Sequence, residues 1–437
     1  MTKSRRDGLY LLALGIAVFV LFGFTLRFIA ADSMRDFKDV YHGTRCLLHH
    51  CDPYNQSELM SFYQTEPGES SSESIQRRQS ETLYVNLPPT FLFIAPIALL
   101  PLGLASALWM LLTAASLILA ALLTWDLGAD YAPIISGGLI GLLLANSAIV
   151  LGNGNPAGIV ISLCVIAVWC FLKERFVLVG VLCLAIGLAM KPHDAALVWL
   201  YFLLAGGVHR KRALQILTVT LVLVLAATLW VSHSAPNWMP ELRSNLAEIS
   251  AHGGNNDPGP VGLTSKSRTP EVITDLQSAV SVFWDEPGFY NSVSYVVCGT
   301  LLLVWFIATL KVRRSPPLIW FALAAVAPLT LLVTYHRVYD AKLLLLAVPA
   351  CALLWAEGGA IGRLALLVST AGLVFTGEIP LAILIVLTKH LHPGAGLFGK
   401  METVLLMRPA PLILLAMAIF YLWIYLRRAR GEGAPAH

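Results

Sequence analysis

Charged side chains are scarce in this sequence. Asp, Glu, Lys and Arg make up 13% of its 437 residues, about half of what a soluble domain of this length carries. A water-soluble domain on a single anchor is thereby excluded. Apolar runs of ~18–25 residues recur along the whole length, each enough to cross a hydrocarbon core of ~30 Å. The phosphate-cradling Gly-x-x-x-x-Gly-Lys motif is missing, so ATP does not drive the protein. Also missing are a Gly-x-Ser-x-Gly elbow and a His-Glu-x-x-His zinc motif, which removes two large hydrolase classes. No internal repeat is visible, and no soluble nucleotide-sugar domain interrupts the apolar runs. Nothing points to a nucleic-acid partner. Whatever chemistry exists must sit on the spans and the loops between them.

What remains is 57% hydrophobic, with a mean hydropathy of +0.72. The pattern predicts an all-α polytopic membrane protein, read as one integral domain over 1–437. Spans are expected near 8–31, 103–125, 132–150, 155–172, 176–190, 193–208, 213–232, 288–310, 316–334, 341–356, 363–386 and 408–426. The first follows Lys3, Arg5 and Arg6. It is too long for a signal-peptide core, so it is read as a retained helix. The run 88–100 is short and bounded by Pro88, Pro89, Pro96 and Pro101. It is expected to be re-entrant or interfacial.

Short basic clusters set the expected orientation. They are Lys3 to Arg6, Lys173 to Arg175, His209 to Arg212, Lys311 to Arg314 and Arg427 to Arg430. Positive charge in short connections stays in the cytoplasm. Both termini are then inside, and two long loops, 32–87 and 233–287, lie outside. The first should open with an amphipathic helix, Arg35 to His49, lying along the membrane surface. Asp52-Pro53-Tyr54-Asn55 ends it as a turn. Thr65 to Ser80, dense in Glu, Ser and Gln, is expected to be mobile or a lid. In the second loop, short helices are expected over Trp238 to Ser250 and Pro270 to Phe283, flanking a Gly- and Asn-rich centre.

Of seven cysteines, five fall in apolar spans and read as small core residues. Cys46 and Cys51 fall in the first loop. At i, i+5 they do not face one another on a helix, so a disulfide requires the helix to end between them. Their tract, Cys46-Leu47-Leu48-His49-His50-Cys51, also has a metal-like composition, without a second ligand pair nearby. Paired, unpaired and zinc-bound states all stay open.

Two carboxylates, Asp36 and Asp39, stand just after the first span. They could be solvated charges at a helix start. Lys191 interrupts apolar sequence beside Pro192 and His193, where charge is rare and usually functional; the plain alternative is a side chain snorkelling to the interface. His336, Arg337 and Asp340 could likewise form an interfacial anchor. The expected topology places all of them, with Asn153 and Asn155, on one membrane face. That convergence favours a site over a set of unrelated anchors.

The order of these elements resembles glycosyltransferase family 87. The resemblance rests on Asp36-Phe37, Tyr41, Arg45, Leu47-Leu48 and Asp52-Pro53-Tyr54, then Leu87-Pro88-Pro89, Pro96 and Leu99-Leu100-Pro101. It continues through Gly152-Asn153-Gly154-Asn155-Pro156, Ala189-Met190-Lys191-Pro192-His193 and Tyr335-His336-Arg337-Val338-Tyr339-Asp340. Asn153 stands where the family tends to have Gln. The resemblance implies a GT-C fold of about 11–13 membrane helices and a polyprenyl-phosphate sugar as donor, most commonly of mannose. The acceptor would be a lipid or glycan hydroxyl at the outer face of a bacterial plasma membrane, in cell-envelope synthesis.

In this scheme Asp36 matches the family acid and acts as general base, with Asp39 one turn on. Lys191, His193, His336 and Arg337 hold the donor phosphate. Tyr41, Tyr54, Asn153, Asn155, Tyr339 and Asp340 contact substrate. Side chains that neutralise the phosphate leave no need for a metal or other cofactor. The main alternative is a transporter or flippase of a lipid-linked or anionic solute, using the same charges without chemistry. Transporters commonly show internal repeats with paired broken helices, which are not visible here.

Overall fold

The computed structural model describes residues 2–29, 33–65, 83–263, 272–311, 316–388, 391, 394 and 396–432. Helices dominate. Among the described residues there is no strand, only an isolated bridge between Ile273 and Arg337. The chain is an all-α polytopic membrane protein. In order, the helices are α1 (Lys3–Ile29), α2 (Arg35–Leu48), α3 (Gln56–Thr65), α4 (Pro88–Ala98), α5 (Leu102–Gly128), α6 (Pro133–Ala145) and α7 (Ala148–Asn153). Then come α8 (Ala157–Leu172), α9 (Val177–Met190), α10 (Pro192–Ala205), α11 (Gly207–Ser234), α12 (Trp238–Ser250) and α13 (Leu276–Val280). The last are α14 (Pro287–Lys311), α15 (Pro316–Val333), α16 (Val348–Glu357), α17 (Gly359–Phe375), α18 (Glu378–Thr388), α19 (Leu397–Glu402) and α20 (Pro409–Glu432).

Among the described residues, α1, α5, α11, α14 and α20 are long and apolar enough to cross a membrane. The pair α17–α18 passes the same test together, but is bent by 67° at its break. Shorter apolar helices, α4, α6, α8, α9, α10 and α15, pack among them. Proline sits in the first turn of α4, α6, α10 and α16. It lacks only an N–H that the helix start would leave unused, and its fixed φ suits that turn. α1 lies against α6 through glycines: a Cβ on Gly15 would collide with the backbone of Gly141. Small residues allow this backbone approach, the commonest way to tighten helix pairs in lipid.

Three expected spans are not continuous. The run 132–150 breaks at Asn146 and Ser147 into α6 and α7. The run 341–356 begins as a 3₁₀ segment, Asp340–Ala347, before α16. The run 363–386 kinks between α17 and α18. All three breaks keep the apolar composition that defined the runs, so hydropathy alone does not reveal them. α4 has 11 residues, about 16 Å of helix at 1.5 Å per residue, which is half the depth of a hydrocarbon core.

α2 matches its expected start and ends one residue early, at Leu48. Its apolar face is covered by protein: Phe37, Val40, Tyr41, Cys46 and Leu47 are buried, against α4 and α5. The helix stops between Cys46 and Cys51, which form a disulfide. This settles the tract as structural and removes its sulfurs from any metal site. Thr65 closes α3, and 66–82, most of the expected lid, lies outside the described residues. α12 has the expected bounds. The second expected helix is shorter, Leu276–Val280 followed by a turn, and 264–271 lies outside the described residues.

Candidate active site

The loops and short helices at one end of the bundle enclose a cavity of about 210 Å³. α2 contributes Asp36 and Asp39, and the 83–86 segment contributes Tyr84 and Asn86. Asn155 enters from the α7–α8 junction, and Asn255 and Asn256 from the second long loop. Tyr335, Arg337 and Tyr339 enter from the segment after α15. Segments nearly 300 positions apart in sequence thus face one space.

The Asp36 carboxylate is held by a side-chain hydrogen bond. Asn155 Nδ2 donates to Asp36 Oδ2 at 2.7 Å. Burial raises the Asp36 pKa above the ordinary carboxylate value, while the Asn155 hydrogen bond and the charges of Arg337, Arg35 and Lys191 pull it down. Burial outweighs them, so the carboxyl holds its proton more tightly than a solvated one. The Asn155 amide is aimed by a tight turn. Gly154 has φ +68, and a Cβ there would stand 2.7 Å from Phe37 Cβ. The Gly154 carbonyl accepts from Trp109 Nε1 at 2.8 Å, and the Trp109 ring stacks on Phe37. Only glycine tolerates that backbone and that approach together.

Arg337 reaches the cavity beside Tyr335, whose hydroxyl accepts from its Nε. Its segment is fixed from two sides. The Arg337 backbone N–H donates to Asp340 Oδ2 at 2.9 Å. The 272–274 strip pairs with it, with Thr274 N donating to His336 O at 3.0 Å and Val338 N to Val272 O at 3.0 Å.

Behind this segment lies a charge cluster in which Asp194, His336 and Asp340 are buried, Lys191 is partly buried and His193 is exposed. Lys191 Nζ sits 2.9 Å from Asp340 Oδ1 and 3.1 Å from Asp194 Oδ2. His336 Nε2 lies 3.2 Å from Asp194 Oδ1, and its Nδ1 faces Thr334 O at 2.8 Å. The carbonyl can only accept, so Nδ1 carries hydrogen. His193 rests edge-on against His336, with ring centroids 5.1 Å apart. Ligand atoms of His193, Asp194 and His336 all lie within 4.8 Å of one another, a spacing that could hold a metal ion. The ammonium of Lys191 already neutralises Asp194, however, and a divalent ion bound there would meet it at close range.

Of the residues expected from sequence, Asp36, Asp39, Asn155, Arg337 and Tyr339 line the cavity. Lys191, His193, His336 and Asp340 form the cluster behind it, and His336 is fully buried. Tyr41 and Tyr54 are not brought to the cavity. Tyr41 donates to Leu100 O at 2.7 Å, and Tyr54 to Asn86 O at 2.7 Å. Both hydroxyls fasten α2 and its following turn to neighbouring backbone. Asn153 ends α7 and does not line the cavity. Asp194 is the member of this cluster that sequence reasoning passed over. It adjoins His193 in an apolar stretch, and so carries the same signal that singled out Lys191. Asn255 and Asn256 read only as loop composition, and their role as cavity wall has no local signal.

The second loop also carries a titrating carboxyl. Asp275 caps α13 by accepting from Ser278 N at 2.8 Å. Burial pushes its pKa up to about 7, against the opposing pull of the Ser278 amide, His336 and Arg408. An unfolded Asp titrates at about 3.9. Between these values the folded state holds the extra proton, so stability falls as pH rises from about 4 to 7. Asp275→Asn keeps the capping oxygen and removes the titration. Thermal unfolding in detergent at pH 5 and pH 8 should then differ less than in the parent; an equal difference would exclude Asp275 as its source.

Residues 84–334, more than half of the chain, match glycosyltransferase family 87. No curated protein and no solved structure matches the chain. The matched stretch contains Asn155, Lys191, Asp194 and Asn255, and it stops short of Asp36 on one side and Arg337 on the other. Those two are tied to it by the cavity they share with Asn155. With a helical membrane fold and this match, the chain belongs to glycosyltransferase family 87, a family of the GT-C class.

Proposed function

We propose that the protein transfers one sugar, most commonly mannose, from a polyprenyl-phosphate donor to a hydroxyl of a lipid or glycan acceptor. Asp36 takes the proton of the acceptor hydroxyl. The hydroxyl oxygen bonds to the anomeric carbon from the face opposite the phosphate. The bond from that carbon to the phosphate oxygen breaks, and polyprenyl phosphate leaves with the electron pair. Configuration inverts. The cation nearest the cavity, Arg337, stabilises charge growing on the phosphate. Lys191, His193 and His336 stand behind it, with Asp194 and Asp340 as counter-charges. The observation that carries this reading is the Asp36 carboxylate, held by Asn155 at 2.7 Å in a cavity that also holds Arg337.

The reading also places the cavity on the outer face of the membrane. Nucleotide sugars are cytoplasmic, so an outward site needs a donor carried across on lipid. The deciding experiment gives membranes containing the protein radiolabelled polyprenyl-phosphate mannose and separates the products. Label in a new glycoside supports transfer. Label that changes leaflet while staying on the polyprenol marks a flippase instead. Orientation has its own test in intact cells with an impermeant thiol reagent. Pro260→Cys, at an exposed point of the second loop, should label, and Glu174→Cys, between α8 and α9, should not. The reverse pattern would turn the site inward.

A further inference from the structure

A second buried ion pair lies away from the cavity, and the transfer step does not use it. Lys342 Nζ, in the 3₁₀ segment, is 3.6 Å from Glu378 Oε1 at the start of α18, with side chains only 2% and 6% exposed. Charges at this depth are costly. A buried pair is weak as a source of stability compared with apolar packing of the same volume. Its bonds all go to one place, the break between α6 and α7. Glu378 Oε2 accepts from Ile149 N at 2.6 Å. Lys342 Nζ donates to Asn146 O at 2.9 Å, and Ile379 N donates to Asn146 Oδ1 at 3.3 Å.

The far end of α7 is at the active site. Its Gly152 carbonyl accepts from Met34 N at 2.6 Å, two residues before Asp36. Asn155, just past its end, is the donor to Asp36. α7 is six residues long, about 9 Å at 1.5 Å per residue. One end is bolted to the ion pair, and the other carries the partner of the base. We infer that Lys342 and Glu378 are positioning residues: through α7 they set where Asn155 meets Asp36. This rests on the reading of Asp36 as base. A misplacement near 1 Å at a reacting group costs about 10²-fold in rate.

The test replaces both charges by Met, Lys342→Met/Glu378→Met, which strands no ion, and measures activity per folded molecule. A companion, Lys342→Met/Glu378→Gln, keeps a carbonyl oxygen for the Ile149 N–H. Three results are expected of the first variant. Its kcat falls roughly 10- to 100-fold with the donor KM unchanged. The acid limb of its pH–rate profile moves to higher pH, as in Asn155→Ala. Combining it with Asn155→Ala adds little further loss. The companion should recover most of the rate. Asp36 also faces Arg35 and Asp39 on its own helix, and Lys191, Arg337, Tyr335 and Tyr339 from elsewhere; all of these stay in place. Unchanged kcat per folded molecule, an unmoved acid limb, or a loss that multiplies with that of Asn155→Ala would each overturn the inference. Full turnover by Asp36→Asn would instead remove the underlying reading, and is measured separately.

Discussion

Asp36→Asn should abolish most transfer, by roughly 10²–10⁴-fold in kcat, in a protein that folds normally. The amide keeps an oxygen for the Asn155 N–H at the same place and keeps the shape of the side chain. It cannot take up a proton from the acceptor hydroxyl. Asp39→Asn should do less, because the Asn155 amide is bonded to Asp36 at 2.7 Å, which marks Asp36 as the base. A result with the order reversed would move the base one turn along α2. The pH profile gives a second reading of the same group. Only the carboxylate acts as base, and burial raises the Asp36 pKa above the ordinary range. Activity should therefore rise with pH along an acid limb that lies above that range. Asn155→Ala removes a hydrogen bond that favours the ionised form, so the limb should move to still higher pH. An unmoved limb would separate Asn155 from the titrating group.

How much of this was legible in the sequence follows from the range of each signal. Hydropathy sums over a window of many residues, so it finds α1, α5, α11, α14 and α20 with little error. It cannot see Asn146 or Gly377, where apolar runs break without a change in composition. Those breaks are long-range decisions. The α6–α7 break depends on Lys342 and Glu378, about 200 positions away, to bond the freed backbone. Asp36 and Lys191 stood out because charge is rare in their surroundings. Asp194 satisfied the same criterion and was passed over beside His193. Tyr41 and Tyr54 show how little spacing alone says about a hydroxyl's partner. Their spacing fits a site, but a tyrosine hydroxyl is equally useful for tying a helix to a neighbouring carbonyl, as both do here.

Lys191 and Arg337, paired in function by sequence reasoning, should fail in different ways. Arg337 lines the cavity, and its side chain holds a tyrosine hydroxyl rather than a carboxylate. Arg337→Ala breaks no direct ion pair, and Asp36 keeps its Asn155 hydrogen bond, so the protein should fold. The lost charge-assisted hydrogen bond to phosphate is worth about 1.5–3 kcal/mol, a roughly 10- to 150-fold loss in donor kcat/KM if it strengthens toward the transition state. Lys191 sits between Asp194 and Asp340 at 3.1 and 2.9 Å. Lys191→Ala leaves two carboxylates facing each other in a low-dielectric interior. Breaking a buried pair from one side costs about 3–5 kcal/mol, so the main effect should be lost folded protein. Lys191→Ala/Asp340→Asn removes one of the stranded charges and should recover part of the thermal stability. Donor dependence is then measured on folded molecules of each variant. Unchanged donor kinetics in Arg337→Ala would take Arg337 out of the phosphate site. Full stability in Lys191→Ala would show that its two carboxylates do not need it, and would return Lys191 to direct contact with the donor.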